Sequence, residues 1–212
     1  MKVLTPILVF FGRLFSFSYM GSGLYKRWSY VYRWLYERKY KDVQLATFDT
    51  LPRLATWVNR QKWKADSWKE MWDAISTPQK VQAIGQDKDG DHFIGDCDEF
   101  AIYSVAAIQG SLAAGLMKGE NIAAAYILSV TWFNPTKMKT LFGFGGHNVC
   151  LIEFSDMGPK YAYMDYYLPS KRAGSIADIA EVVRQRYSGE GVIPLVWHVA
   201  KLDLTPVQTR WG

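Results

Sequence analysis

The amino-acid sequence predicts an α+β fold in which a helical N-terminal region precedes a core built from one helix packed on an antiparallel sheet. Three observations carry this. Apolar and aromatic residues recur at helical spacing between residues 24 and 83. A polar cap followed by an apolar run opens a helix at Cys97. After that helix, segments 123–133, 147–154, 161–166 and 195–202 are apolar and β-rich or alternate in polarity, as strands do.

The bulk composition bounds the answer. The chain has 212 residues, enough for one domain with an extension, read as 1–83 ahead of 84–212. Hydrophobic residues make up 49%, which supports a sizeable core and excludes global disorder. A net charge of +5 without a long Lys/Arg run gives no specific nucleic-acid partner. The two cysteines, Cys97 and Cys150, are too few for a disulfide framework. The compartment stays open, with a cell-envelope, secreted or virion-associated setting ahead of the cytoplasm.

The first 15 residues, MKVLTPILVFFGRLF, resemble a signal peptide only in outline. Pro6 and Arg13 interrupt the apolar run, and no small-residue cleavage site follows. The run is too short to span a bilayer. A docked segment is expected, and it offers a surface for an assembly partner. An interfacial anchor making peripheral membrane contact is the competing reading.

Tyr25, Trp28, Val31, Tyr32, Leu35 and Tyr36 then recur at three- and four-residue steps, the spacing of an amphipathic helix. Lys26, Arg27, Arg33, Arg38, Lys39 and Lys41 occupy the remaining positions. A core stripe with a solvated face is expected there, against a basic aromatic binding surface. Thr50-Leu51-Pro52 starts a second helix running through Trp57, with proline in its first turn. Ser67 to Ile75 is expected as a helix with Trp68 and Trp72 on one face, and Thr77-Pro78 caps the next.

The helix opened by Asp96-Cys97-Asp98-Glu99-Phe100 places Phe100, Ala101, Ser104, Val105 and Ile108 on one face, with Gly115 and Gly119 as stops. Strand 123–133, a glycine-bearing loop over 134–146, strands 147–154 and 161–166, a helix over 176–187 and a last strand over 195–202 complete the core.

The chemistry centres on Cys97. Thiolate is the reactive form of cysteine, and a helix N-terminus or a nearby imidazole increases its fraction. The backbone N–H of Cys97 also suits one half of an oxyanion hole. His147, following Gly145-Gly146 at the start of a strand, is the expected base. Asp165, at the end of the next strand, is the expected orienter of its ring. His92 and His198 lack this context and are read as surface or structural groups, with His92 the second choice of base. Cys150 falls on the opposite strand face from His147 and is read as core. Gln82, Gln86, Trp68 and Trp72 are candidates for the second oxyanion donor, unranked by the sequence.

Gly95-Asp96-Cys97-Asp98-Glu99-Phe100-Ala101, then Gly146-His147-Asn148-Val149-Cys150-Leu151, then Tyr163-Met164-Asp165 resemble the three blocks of the transglutaminase-like cysteine peptidases. The match is nearest to the bacterial transglutaminase-like cysteine proteinases, whose cysteine block is Gly-Asp-Cys followed by an acidic pair. The resemblance covers about residues 84 to 167. It implies a papain-like catalytic core with Cys97, His147 and Asp165 as triad, acting at amide carbonyls through a thioester acyl-enzyme. The implied partner is a protein or peptide substrate, peptidoglycan peptides included. Water as acceptor would give hydrolysis and an amine would give transglutaminase-type transfer.

Asp87, Asp89 and Asp91, with Asp98 near the twelfth position, resemble a calcium loop. The glycine sits at the fourth rather than the sixth position, and an exposed acidic turn is the alternative. Some bacterial relatives in the resembled family use calcium near the cysteine; the chemistry itself requires no cofactor. Against the enzyme reading stands a structural or docking role in a larger assembly, a virion or cell envelope, built on the same fold.

Overall fold

Helix and strand boundaries follow local chemistry along the chain. The computed structural model describes the backbone of residues 4–21, 24–63, 75–85, 93–137 and 143–212. These contain six α-helices: α1 (Leu4–Gly21), α2 (Leu24–Tyr36), α3 (Leu51–Asn59), α4 (Pro78–Gly85), α5 (Cys97–Ala113) and α6 (Ile176–Ser188). The strands are β1 (Lys62–Trp63), β2 (Phe93–Gly95), β3 (Ile122–Phe133), β4 (Phe144–Phe154), β5 (Tyr161–Met164), β6 (Ile193–Ala200) and β7 (Pro206–Trp211). β1 and β2 form a short parallel pair, and the other five make an antiparallel sheet in the order β5-β4-β3-β6-β7. This mixed architecture is compatible with the α+β class.

The sheet separates two apolar cores. On one face, Ile127, Cys150, Ile152 and Met164 meet Phe100, Ile102, Val105 and Ile108 of α5. On the other, Leu128, Val130, Val149, Leu151 and Tyr163 meet Ile179, Ala180 and Val183 of α6. Strand alternation sorts odd and even residues of β4 onto these faces. Helix α5 is buried on nearly every side, from Asp98 through Ile108, rather than along the single stripe expected. Helix α3 packs against it through the Trp57–Tyr103 stack, with ring centroids 4.2 Å apart, and α4 packs beside it. A helix apolar all round belongs inside a core.

Several expectations shift. Residues 4–21 form one continuous helix, because Pro6 falls in the first turn, where a missing N–H breaks no bond. Its inner residues Leu8, Val9 and Phe17 pack on Phe133, Leu195 and Val196. Strand β4 begins at Phe144, three residues earlier than expected, since Gly145 and Gly146 pair with Trp132 and Thr131. A Cβ on Gly145 would sit 2.7 Å from Trp132 Nε1, so this glycine makes room for the cross-strand indole. The turn glycine is instead Gly143, at φ 74°. β6 ends two residues early, and β7 was not anticipated. Pro206 opens β7 at a sheet edge, the place a strand tolerates proline.

Candidate active site

The N-terminus of α5 is set by three residues. Gly95 has φ 130°, and a Cβ there would lie 2.5 Å from Glu99 Oε2. Only glycine allows the backbone to fold this close over the first turn. Asp96 is the N-cap: its Oδ1 accepts from Asp98 N at 3.0 Å, and Glu99 Oε2 accepts from Asp96 N at 3.2 Å, closing a capping box. Glu99 Oε1 also accepts from Ser76 N, tying the cap to the segment before α4. Cys97 therefore occupies the first helical position, where backbone N–H groups lack intrahelical partners and the helix dipole favours an anion.

Asp98 is buried at 1% exposure. Its Oδ1 accepts from Asn148 Nδ2, joining the first turn of α5 to β4, and Cys97 Sγ lies 3.6 Å from the same oxygen. Asp98 is thus a structural tie at the point where the acidic motif would end. Asp87, Asp89 and Asp91, the rest of the expected calcium set, lie outside the described residues, as do His92, Gln86, Trp68, Trp72 and positions 67–74 of the expected helix. Among the described residues, Asp96, Cys97 and Asp98 place ligand-type atoms within 4.8 Å of one another. With Oδ1 of Asp98 already engaged by Asn148, this group alone does not make a calcium shell of several oxygens.

His147 and Asp165 are brought together as expected. His147 Nε2 donates to Asp165 Oδ2 at 3.1 Å, and both side chains are largely buried. β5 ends at Met164, paired with Cys150, so Asp165 emerges just past the strand beside the start of β4. The arrangement fixes the tautomer: a proton on Nε2 leaves Nδ1 with the lone pair that can take a thiol proton.

Tyr187, at the end of α6, completes this cluster. Its ring stacks on the imidazole, with centroids 3.7 Å apart and planes at 26°, and its hydroxyl donates to Asp165 Oδ2. Burial, followed by the bond to and charge of Asp165, pushes the Tyr187 phenol well above its ordinary range, so it remains a donor. Asp165 Oδ1 is buried without a hydrogen-bond partner among the described residues. The carboxylate is held through its other oxygen.

The two halves face opposite ways. His147 lies with Val149 and Leu151 on the α6 side, while Asn148 and Cys150 face α5. Hydrogen bonds run from His147 to Asp165 and from Cys97 to Asp98. What the halves share is Tyr166. Its ring meets Phe100 of α5 edge-on at 4.5 Å and lies 6.4 Å from His147. Burial first, then the nearby Asp165 carboxylate, holds its phenol far above the usual value. Tyr166 thus stands between Phe100 of α5 and His147 at the end of the sheet.

The other candidates have structural places. Cys150 is fully buried, and burial pushes its thiol up. Gln82 Oε1 accepts from Ala46 N at 2.9 Å and Tyr103 hydroxyl at 2.6 Å. Tyr103 stands six residues along α5 from Cys97, about 9 Å of helix rise, so Gln82 braces the core instead of the reacting end. His198 is buried at 1% exposure with Nδ1 bonded to Thr209 Oγ1 at 2.7 Å, and burial pulls its pKa down to about 4. It closes a polar cross-strand row, Asn148–Ser129–His198–Thr209, on the α5 face. A cavity of about 460 Å³ is lined by Thr47, Phe48, Arg53 and Trp57 and includes none of the cluster. Chemistry, not concavity, marks the site.

Comparison of the chain with models of known families, with curated proteins and with solved structures finds no match. The sequence could not have flagged Tyr187 and Tyr166, since tyrosine at a helix end or after a strand is commonplace. Asn148 stands within the histidine block, but its bond to Asp98 depends on pairing that only the fold provides.

Proposed function

We propose that this protein is a cysteine peptidase or amidase that cleaves peptide or isopeptide bonds through Cys97, His147 and Asp165, on a papain- or transglutaminase-like core. The observation that carries the reading is the buried His147–Asp165 pair held by Tyr187, which presents an imidazole with Nδ1 as its basic nitrogen. Cys97 at the first position of a capped helix supplies the nucleophile. For chemistry, Cys97 Sγ turns from Asp98 toward His147, whose Nδ1 takes its proton. The thiolate attacks the carbonyl carbon, and the oxyanion is met by backbone N–H groups at the start of α5. His147 returns the proton to the departing amine, leaving a thioester. Water, deprotonated by His147, releases the acid; an amine in its place would complete acyl transfer. No step runs through calcium.

A structural role in a larger assembly is favoured by one observation: the thiol is turned to Asp98 while the imidazole lies on the α6 side of the sheet. Labelling with a thiol-directed acylating probe across pH, with calcium present or chelated, separates the two. Rapid labelling near neutral pH, lost in Cys97→Ala and slowed in His147→Ala, is expected. Slow labelling indifferent to His147 in a folded protein overturns the enzyme reading and leaves the structural one.

A further inference from the structure

Helix α1 carries its most apolar side chains outward. Ile7, Phe10, Phe11, Leu14 and Phe15 recur at three- and four-residue steps and are 45–70% exposed. The stripe contains no charged residue. The opposite side is fixed to the body of the protein. Leu8, Val9 and Phe17 pack inward, and Gly12 abuts the Phe144 ring. Arg13 Nη2 donates to the carbonyls of Pro194 and Gly212, at 3.1 and 3.0 Å, and Phe17 stacks on Trp211 at 4.9 Å. The helix therefore cannot roll to hide the stripe without breaking these contacts. An uninterrupted apolar face of this kind on a surface helix signals an interaction site.

The adjacent helix supplies a second part. On α2, Tyr30, Val31, Trp34 and Leu35 are 46–62% exposed. Arg27, Arg38, Lys39 and Lys41 are exposed beside them, and Arg38 lies 5.7 Å from the Trp34 ring. Charge is segregated along the chain. The first 48 residues hold eight basic and two acidic residues, an excess of six, against +5 for the whole chain. Of the two acids, Glu37 is buried and ion-paired with Lys80 at 3.2 Å.

We infer that α1 and α2 form a docking surface for an anionic lipid bilayer, with α1 lying in the interface. Phenylalanine and leucine enter the boundary between headgroups and acyl chains, tryptophan and tyrosine sit at headgroup level, and the cations face lipid phosphates and carboxylates. Charge decides between this occupant and a second copy of the chain. A two-fold symmetric contact through this face would set its own basic excess against itself, whereas an anionic surface complements it. No helix among the described residues is long and apolar enough to cross a membrane, which fits attachment in the plane. The inference is independent of the catalytic reading.

The test is co-sedimentation of the full chain with vesicles of phosphatidylcholine alone or mixed with phosphatidylserine, at low and high salt. Binding to the mixed vesicles that weakens with salt is expected. The pair Phe10→Ser/Phe15→Ser, both at exposed positions, is expected to weaken it about tenfold or more, and Arg38→Glu/Lys39→Glu to weaken it selectively at low salt. No binding to phosphatidylserine vesicles overturns the inference, as does binding indifferent to lipid charge or to the phenylalanine pair. A salt-insensitive dimer that dissociates in Phe10→Ser/Phe15→Ser, without lipid binding, would assign the stripe to self-association and equally overturn it.

Discussion

The two faces of the five-stranded sheet are organised on different principles. On the α5 face a largely apolar helix is keyed to the sheet at separate points, by Asn148 to Asp98 at its first turn and by Gln109 Nε2 to the Ala125 carbonyl farther along. On the α6 face the polar groups act as a set: His147, Asp165 and Tyr187 bond and stack together beside an apolar core of Val149, Leu151 and Val183. Adjacent residues 147 and 148 feed these opposite sides. The division of labour teaches that the proposed nucleophile, Cys97, and the proposed base, His147, are held by separate cores, joined by the short stretch of sheet end around Tyr166.

Changes on either face should separate these roles. The largest effect is expected from His147→Ala, which removes the proposed base without touching the α5 core: thiol labelling should fall about 1000-fold, while stability falls by about 2 kcal/mol because the buried Asp165 loses a donor. A loss of stability with labelling unslowed would make the imidazole a packing group.

Next is acid titration of the α5 face. The folded-state pKa of His198, lowered to about 4 by burial, lies below its unfolded value of 6.5. The unfolded chain therefore binds more protons between these values. Stability from this residue is fully present above pH 6.5 and is lost as pH falls toward 4, by roughly 3 kcal/mol at most. Urea unfolding at several pH values should show this slope, and His198→Leu should flatten it.

Asn148→Ala should cost about 2 kcal/mol by chemical denaturation, because it removes a hydrogen-bond donor from a buried carboxylate. It should leave the pH dependence of Cys97 labelling in shape. The smallest effect is expected from Tyr187→Phe, which keeps the ring stack and deletes the bond to Asp165. Labelling should slow by roughly tenfold, while Tyr187→Ala, losing both contacts, slows it further. Equal rates for Tyr187→Phe and the unaltered protein would reduce this tyrosine to packing.

The parts legible in the sequence are those governed by local chemistry. The cap at Asp96 and Glu99 places the start of α5 at Cys97, because capping geometry is confined to four residues. Alternation places Cys150 opposite His147, and hairpin logic brings Asp165 to His147. Pairing-dependent features were not legible. Gly145 reads as loop until Trp132 is set across from it, and Pro206 argues against a strand until the segment is known to lie at an edge. The face on which Cys97 meets the sheet is also a tertiary fact, since no spacing between residues 97 and 147 encodes how α5 packs on β4.

The attachment of α1 bears on synthesis. Most of its platform is β6 and β7, and Arg13 reaches a carbonyl 199 positions away, at Gly212. A ribosome delivers α1 well before the strands that seat it. Until β6 and β7 have emerged neither side of this helix has its final cover, so the nascent chain carries an apolar segment open to chaperones or to any nearby bilayer. Closure of that long loop, bringing α1 to β6 and β7, is then a natural late event in folding, and the step at which the inner face of α1 is withdrawn from other partners.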